Sequence, residues 1–150
     1  MRTDLLSRNT MDGLSVAANV IAVVEISAKV ATLCTEYISA VRHAETDIVR
    51  LRNLAENLNG LFKELNALLD SPLGPKLEAS QRLRRAVLDS SQRLKELKSK
   101  LEPGRGRKAM SRFGIRALGW PFMKKDVNTI IQELTHCKEN ISLAMQIDQT

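Results

Sequence analysis

The chain has 150 residues and a net charge of +6, with 43% apolar, 27% charged and only 3% aromatic residues. That length suits one domain with a core large enough to fold without a disulfide or a metal. So few aromatics, with seven glycines and four prolines, exclude a β-sandwich or barrel and point to long amphipathic helices.

Residues 1–11 lack apolar periodicity and are expected to form a disordered leader, so that Met1 and Met11 are both candidate starts. The globular domain is expected over 12–149. The first helix is predicted over 14–41. Its leading stripe is Leu14, Ala17, Ala18, Ile21, Val24, Ala28, Ala31 and Ile38, with Cys34 also on an apolar position. Val16, Val20, Val23, Ile26 and Val30 widen the stripe until little of the circumference is polar, and Asn19, Glu25, Lys29 and Glu36 mark the wet side. A helix apolar nearly all round is either a core helix or one held against another apolar phase. Arg2 and Arg8 precede the apolar run as in a signal peptide, but Asn19, Glu25 and Lys29 interrupt it and no good cleavage site follows. The same charges argue against a conventional membrane span.

The second helix is predicted over 45–69, after a turn near 42–46. Leu51, Leu54, Leu58, Leu61, Leu65 and Leu68 repeat at three and four residues, the seam of a left-handed bundle. Two prolines and a glycine within 70–75 break the chain. A third helix is predicted over 76–101, with Leu77, Leu83, Val87, Leu94, Leu97 and Leu101 inward and dense bases between, ending at Pro103 and Gly104. The connector 103–121 follows, with room for a short extra helix around 111–118. Trp120 and Phe122 are expected to plug the end of the bundle. The fourth helix is predicted over 123–149, on Met123, Val127, Ile130, Leu134, Cys137, Ile141 and Ala144. Four segments of similar length with matched seams predict an all-α four-helix bundle.

Between positions 98 and 125, nine bases face one acid, Glu102, so this window carries +8 and the rest of the chain −2. Arg105, Arg107, Lys108, Arg112, Arg116, Lys124 and Lys125 form a candidate patch for an anionic surface, and a solvated basic loop is the plainer reading. Nucleic acid is a poor fit, because aromatics are too few to stack bases and no base-reading helix-turn-helix is apparent. No catalytic constellation can be assembled, and neither a cofactor nor a metal is expected. His136 and Cys137 are adjacent on a helix and point about 100° apart, too far to share one ion easily. Cys34 and Cys137 read as buried free thiols in a reducing compartment. Asn140-Ile141-Ser142 matches a glycosylation acceptor but falls mid-helix.

Two segments resemble a known family. Met11-Asp12-Gly13-Leu14-Ser15-Val16-Ala17-Ala18-Asn19-Val20-Ile21-Ala22-Val23 is similar to the start of the fungal N-terminal domain of STAND (NLR-like) proteins, the HeLo-like group. Ala117-Leu118-Gly119-Trp120-Pro121-Phe122-Met123-Lys124-Lys125-Asp126-Val127 resembles that family's entry to its last helix, and the likeness spans about 11–148. The resemblance implies a non-enzymatic signalling or effector domain in regulated cell death or heterokaryon incompatibility. It would act by self-association or through a protein partner, from a cytoplasmic or peripheral membrane location, with an anionic membrane as a further candidate partner for this chain's basic patch. In a longer receptor, a NACHT or NB-ARC module and a repeat domain would follow. Helix 1 is the element that death-inducing relatives insert into membrane. Here alanines and serines replace their glycine zipper, and Glu25 and Lys29 would be costly at a bilayer centre. An adaptor bundle that never meets lipid is the alternative.

Overall fold

A computed structural model describes residues 2–40, 44–102 and 120–149, with side chains described over 16–40, 44–102 and 120–146. These residues form α1 (Arg2–Ala40), α2 (Glu45–Leu69), α3 (Gly74–Ala79), α4 (Gln81–Leu101) and α5 (Lys124–Gln149), with no strand among them. The fold is an all-α helical bundle.

Local chemistry sets the helix ends. Glu45 and Asp47 place negative charge in the first turn of α2, where the helix dipole favours it. Pro75 sits in the first turn of α3, where its missing N–H costs nothing. The Ser80 Oγ accepts the Leu83 N–H at 3.2 Å and starts α4, whose last turn carries Lys98 and Lys100. The Asp126 Oδ2 accepts the Met123 N–H at 3.1 Å, which is half of a capping box at the entry to α5.

α1 packs on α2 and α4, and α5 packs on the same two helices from the opposite corner. Cross-helix bonds give the directions. Asn59 Nδ2 donates to the Val24 carbonyl at 2.8 Å, so α1 and α2 run antiparallel. Asp89 reaches Cys137 and Arg93 reaches Glu133, so α4 and α5 are antiparallel as well. Tyr37 and Leu101 meet near the C-terminal ends of α1 and α4, while Arg50 and Asn128 meet near the N-terminal ends of α2 and α5. Two helical hairpins therefore lie side by side in the same direction. α3 touches all four long helices and closes one end, with Leu77 fully buried.

Each long helix buries a stripe of period 3.5. The stripes are Val16, Val20, Val23, Ser27, Val30, Cys34 and Tyr37 on α1, and Ile48, Leu51, Ala55, Leu58, Phe62, Leu65 and Leu69 on α2. They continue as Leu83, Val87, Ser90, Leu94, Leu97 and Leu101 on α4, and Val127, Leu134, Cys137, Ile141 and Ala144 on α5. Of the three buried serines among the described residues, Ser27 and Ser90 are satisfied locally, while the Ser91 Oγ has no hydrogen-bond partner. Ser27 Oγ donates to the Val24 carbonyl and accepts from Asn59, and Ser90 Oγ donates to the Ala86 carbonyl at 2.7 Å.

The structure differs from the sequence expectation at several points. α1 reaches back to Arg2, where 1–11 was expected to be a disordered leader. The segment holds no proline, and a helix already nucleated extends at little cost per residue. The expected helix over 76–101 is two helices, because Ser80 leaves the helical conformation (φ −71°, ψ 115°) to cap α4. Leu61 and Leu68 flank the α2 stripe half-buried. Met123 is 72% exposed and precedes α5. The connector helix expected around 111–118 lies outside the described residues.

Candidate interaction surfaces

α1 carries two parallel seams. The buried one begins at Val16. The other, one residue later, is Ala17, Ile21, Val24, Ala28, Ala31, Thr35 and Ile38, rotated by about 100°. Ala17, Val24, Ala31 and Ile38 are half-buried, Ala28 and Thr35 are exposed, and Ile21 is 48% exposed. Ala18 lies further out in solvent, and the side chain of Leu14 lies outside the described residues. The stripe expected from sequence to lead the helix is thus the half-exposed seam. Val16, Val20, Val23, Val30 and Tyr37 fill the centre together with the small Ser27 and Cys34, while Ile21 stays outside. Val16–Ala40 is long and apolar enough to cross a membrane by length and composition alone, with a third of it buried in the bundle.

The end of the bundle opposite α3 is closed by aromatic rings. Trp120 packs edge-on against Tyr37, with ring centroids 5.1 Å apart, and against Phe122 at 5.2 Å. Tyr37 is 1% exposed, and its hydroxyl donates to the Leu101 carbonyl at 2.9 Å. Trp120 and Phe122 are half-buried. Tyr37 was missed as a member of this group. Its place on the buried α1 seam is the signal that would have found it.

Of the candidate anionic-surface patch, Lys124 and Lys125 are exposed at the start of α5. Arg105, Arg107, Lys108, Arg112 and Arg116 lie outside the described residues. A second basic surface was not singled out from the sequence. α4 carries Arg82, Arg84, Arg85, Arg93, Lys95, Lys98 and Lys100 against only Asp89 and Glu96. The signal was the composition of this one helix, masked by the denser run that follows it.

The thiols are poor nucleophiles. Burial pushes the Cys34 thiol up to about 12, against the pull of the Arg52 charge. Burial, then a 3.2 Å hydrogen bond donated to Asp89 Oδ2, pushes Cys137 up to about 11. Arg93 bridges Asp89 and Glu133, and these carboxylates outweigh partial burial and hold the guanidinium more basic than usual. An open groove beside this cluster also contains Arg50, which pairs with Asp47 and Asn128, so its cations are already met from within the chain. His136 is exposed while Cys137 is buried, so the two face apart. Among the described residues no group of three or more His, Cys, Asp or Glu side chains could hold a metal ion.

The family model for the pigment biosynthesis cluster protein PigL N-terminal domain matches residues 11–148. Comparison with curated proteins and with solved structures gave no match.

Proposed function

The chain belongs to the PigL N-terminal family, a fungal-associated N-terminal domain, and from that premise we propose that it is a non-enzymatic signalling domain that works by self-association. The observation that carries this reading is the second seam of α1. Its residues repeat with the period of a helix-packing stripe, yet Ile21, Ala28 and Thr35 are left to solvent. Small residues such as Ala17, Ala28 and Ala31 let two backbones approach closely. A like seam on a second copy is the complementary surface, because an isologous contact uses the same patch twice. The reading agrees with the resemblance to NLR-like N-terminal domains, which signal by clustering.

Membrane insertion of α1 is not part of this proposal. Inserting α1 would strip the faces of α2 and α4 that pack on it and would carry Glu25 and Lys29 into the bilayer, where a charged side chain costs roughly 2.5–3.5 kcal/mol or more near the centre. The buried, strongly protonated thiols support a role without nucleophilic chemistry.

Co-capture of two differently tagged copies of the protein tests the reading. The wild-type copies should capture one another, and Ile21→Glu should abolish capture while the helical circular dichroism stays unchanged. Wild-type copies that do not capture one another, or capture that survives Ile21→Glu, would overturn it.

A further inference from the structure

The charge of the described helices is concentrated on α4. Its seven bases against two acids give a net +5 over 81–101, whereas α2, with four acids and three bases, is −1. Three of the seven bases are engaged. Arg93 pairs with Asp89 and Glu133, Lys98 pairs with Glu102 at 3.3 Å, and Arg84 Nε donates to the Glu78 carbonyl. Arg82, Arg85, Lys95 and Lys100 are exposed and make no ion pair or hydrogen bond among the described residues. Glu96 is the one acid on this outer face without a base of its own. The array spans about 27 Å along the helix at 1.5 Å per residue. Leu88 lies within that span and is 53% exposed. The inner side of α4 is core, and on its outer side these four bases and Leu88 stand in solvent among the described residues.

We propose that the outer face of α4 is a docking surface for an anionic phospholipid membrane, with Arg82, Arg85, Lys95 and Lys100 meeting headgroup charges and Leu88 reaching the acyl boundary. Charge complementarity calls for an anionic partner. The four cations fan over more than a third of the helix circumference on a convex face. A rigid acidic helix would meet only part of that arc, whereas mobile headgroups adapt to all of it. A nucleic-acid backbone would give the exposed Leu88 nothing apolar to bury against, and the outer face of α4 carries no aromatic side chain to stack a base. A bilayer supplies both phosphate charge and an apolar boundary beneath it. Lys124 and Lys125, exposed at the start of the antiparallel α5, add charge at the Lys100 end. α4 stays folded in the bundle throughout, so this contact is peripheral.

The test is co-sedimentation of the full chain with vesicles of phosphatidylcholine alone and of phosphatidylcholine with phosphatidylserine. The wild type should pellet only with the anionic vesicles and be released by salt. Each base beside such a surface is worth about fivefold in partitioning, so Arg82→Gln/Arg85→Gln and Lys95→Gln/Lys100→Gln should each weaken binding about 25-fold. The four-base variant should fall several hundred-fold by the same arithmetic, roughly 600-fold, with its cooperative melting kept. Leu88→Ser should weaken binding severalfold. Lys63→Gln/Lys138→Gln, which removes the same charge from α2 and α5, should leave binding unchanged. Wild-type protein that ignores anionic vesicles, an equal loss in the Lys63/Lys138 variant, or full binding by the four-base variant would overturn the proposal. Retention on duplex RNA or polyglutamate with none on vesicles would overturn it in favour of a polymer partner. None of these outcomes depends on self-association through α1, which tagged-copy capture reads separately.

Discussion

Tyr37→Phe removes one oxygen atom from the closed end of the bundle and leaves the ring in place. The hydroxyl donates to the Leu101 carbonyl at 2.9 Å, with Tyr37 1% and Leu101 0% exposed. That carbonyl is among the last four of α4, which have no donor within their own helix. In the variant it stays buried and has no other donor among the described residues. The cost of stranding such an acceptor is about 1–3 kcal/mol. For a chain of this size each kcal/mol lowers Tm by roughly 2–4 °C, so the expected drop is roughly 2–12 °C. Urea unfolding followed by circular dichroism should show the same loss with an unchanged m value, because the exposed surface on unfolding is the same. A double-mutant cycle with Trp120→Ala should add a coupling of about 0.5–1.5 kcal/mol in the comparison with Tyr37→Ala, for the edge-on rings. A Tyr37→Phe protein within about 0.5 kcal/mol of wild type, the usual range for surface changes, would refute the claim that this hydroxyl seals the end.

Two glycines should respond in opposite directions. A Cβ at Gly60 meets nothing within 4 Å, so Gly60→Ala should stabilise α2 by about 0.5–1 kcal/mol in a denaturant titration. A Cβ at Gly74 would collide with the Leu69 carbonyl group, so Gly74→Ala should lower Tm and disturb the seating of α3. Alkaline pH should weaken the fold through its thiols. Both folded pKa values lie above that of an ordinary exposed thiol, so their contribution is complete below about pH 9 and is lost as pH rises through about 11 and 12. At pH 10 the loss is about 1 kcal/mol for each thiol, and Cys34→Ala/Cys137→Ala should flatten the fall in Tm between pH 9 and 11.

The seams of α4 and α5 were legible because polar side chains fill the rest of each circumference. Only one face of Leu83, Val87, Leu94, Leu97 and Leu101 can be apolar, and the same holds for Val127, Leu134, Cys137 and Ile141. On α1 periodicity alone could not choose between two seams that differ by one residue. The buried seam even contains Ser27, whose hydroxyl is satisfied by Val24 and Asn59 in a way no spacing rule reveals. Side-chain volume was only a partial guide: Val16, Val20, Val23, Val30 and Tyr37 lie inside and Ala28 outside, but the small Ser27 is inside and the larger Ile21 outside. The break at Ser80 also left a trace. Leu77 and Leu83 are six residues apart, a step that a single helical seam does not take, and Ser80 stands three residues before Leu83 as a cap requires. The aromatic end was legible in Trp120 and Phe122, but Tyr37 comes from a distant part of the chain and joins them only in the folded bundle. The unpaired bases of α4 could not be separated by sequence from Arg93 and Lys98, because pairing across helices and turns decides which charges remain free.

The division of α1 into an inner seam that holds the bundle and an outer seam that binds a second copy is tested most directly by sedimentation velocity of the wild type, Ile21→Asp and Val23→Asp side by side. The wild type should sediment as a concentration-dependent assembly and Ile21→Asp as a compact, folded monomer. Val23→Asp should lose its compact shape, since it buries a charge at a position that is 0% exposed. An Ile21→Asp protein that still assembles, or that unfolds as Val23→Asp does, would contradict the account.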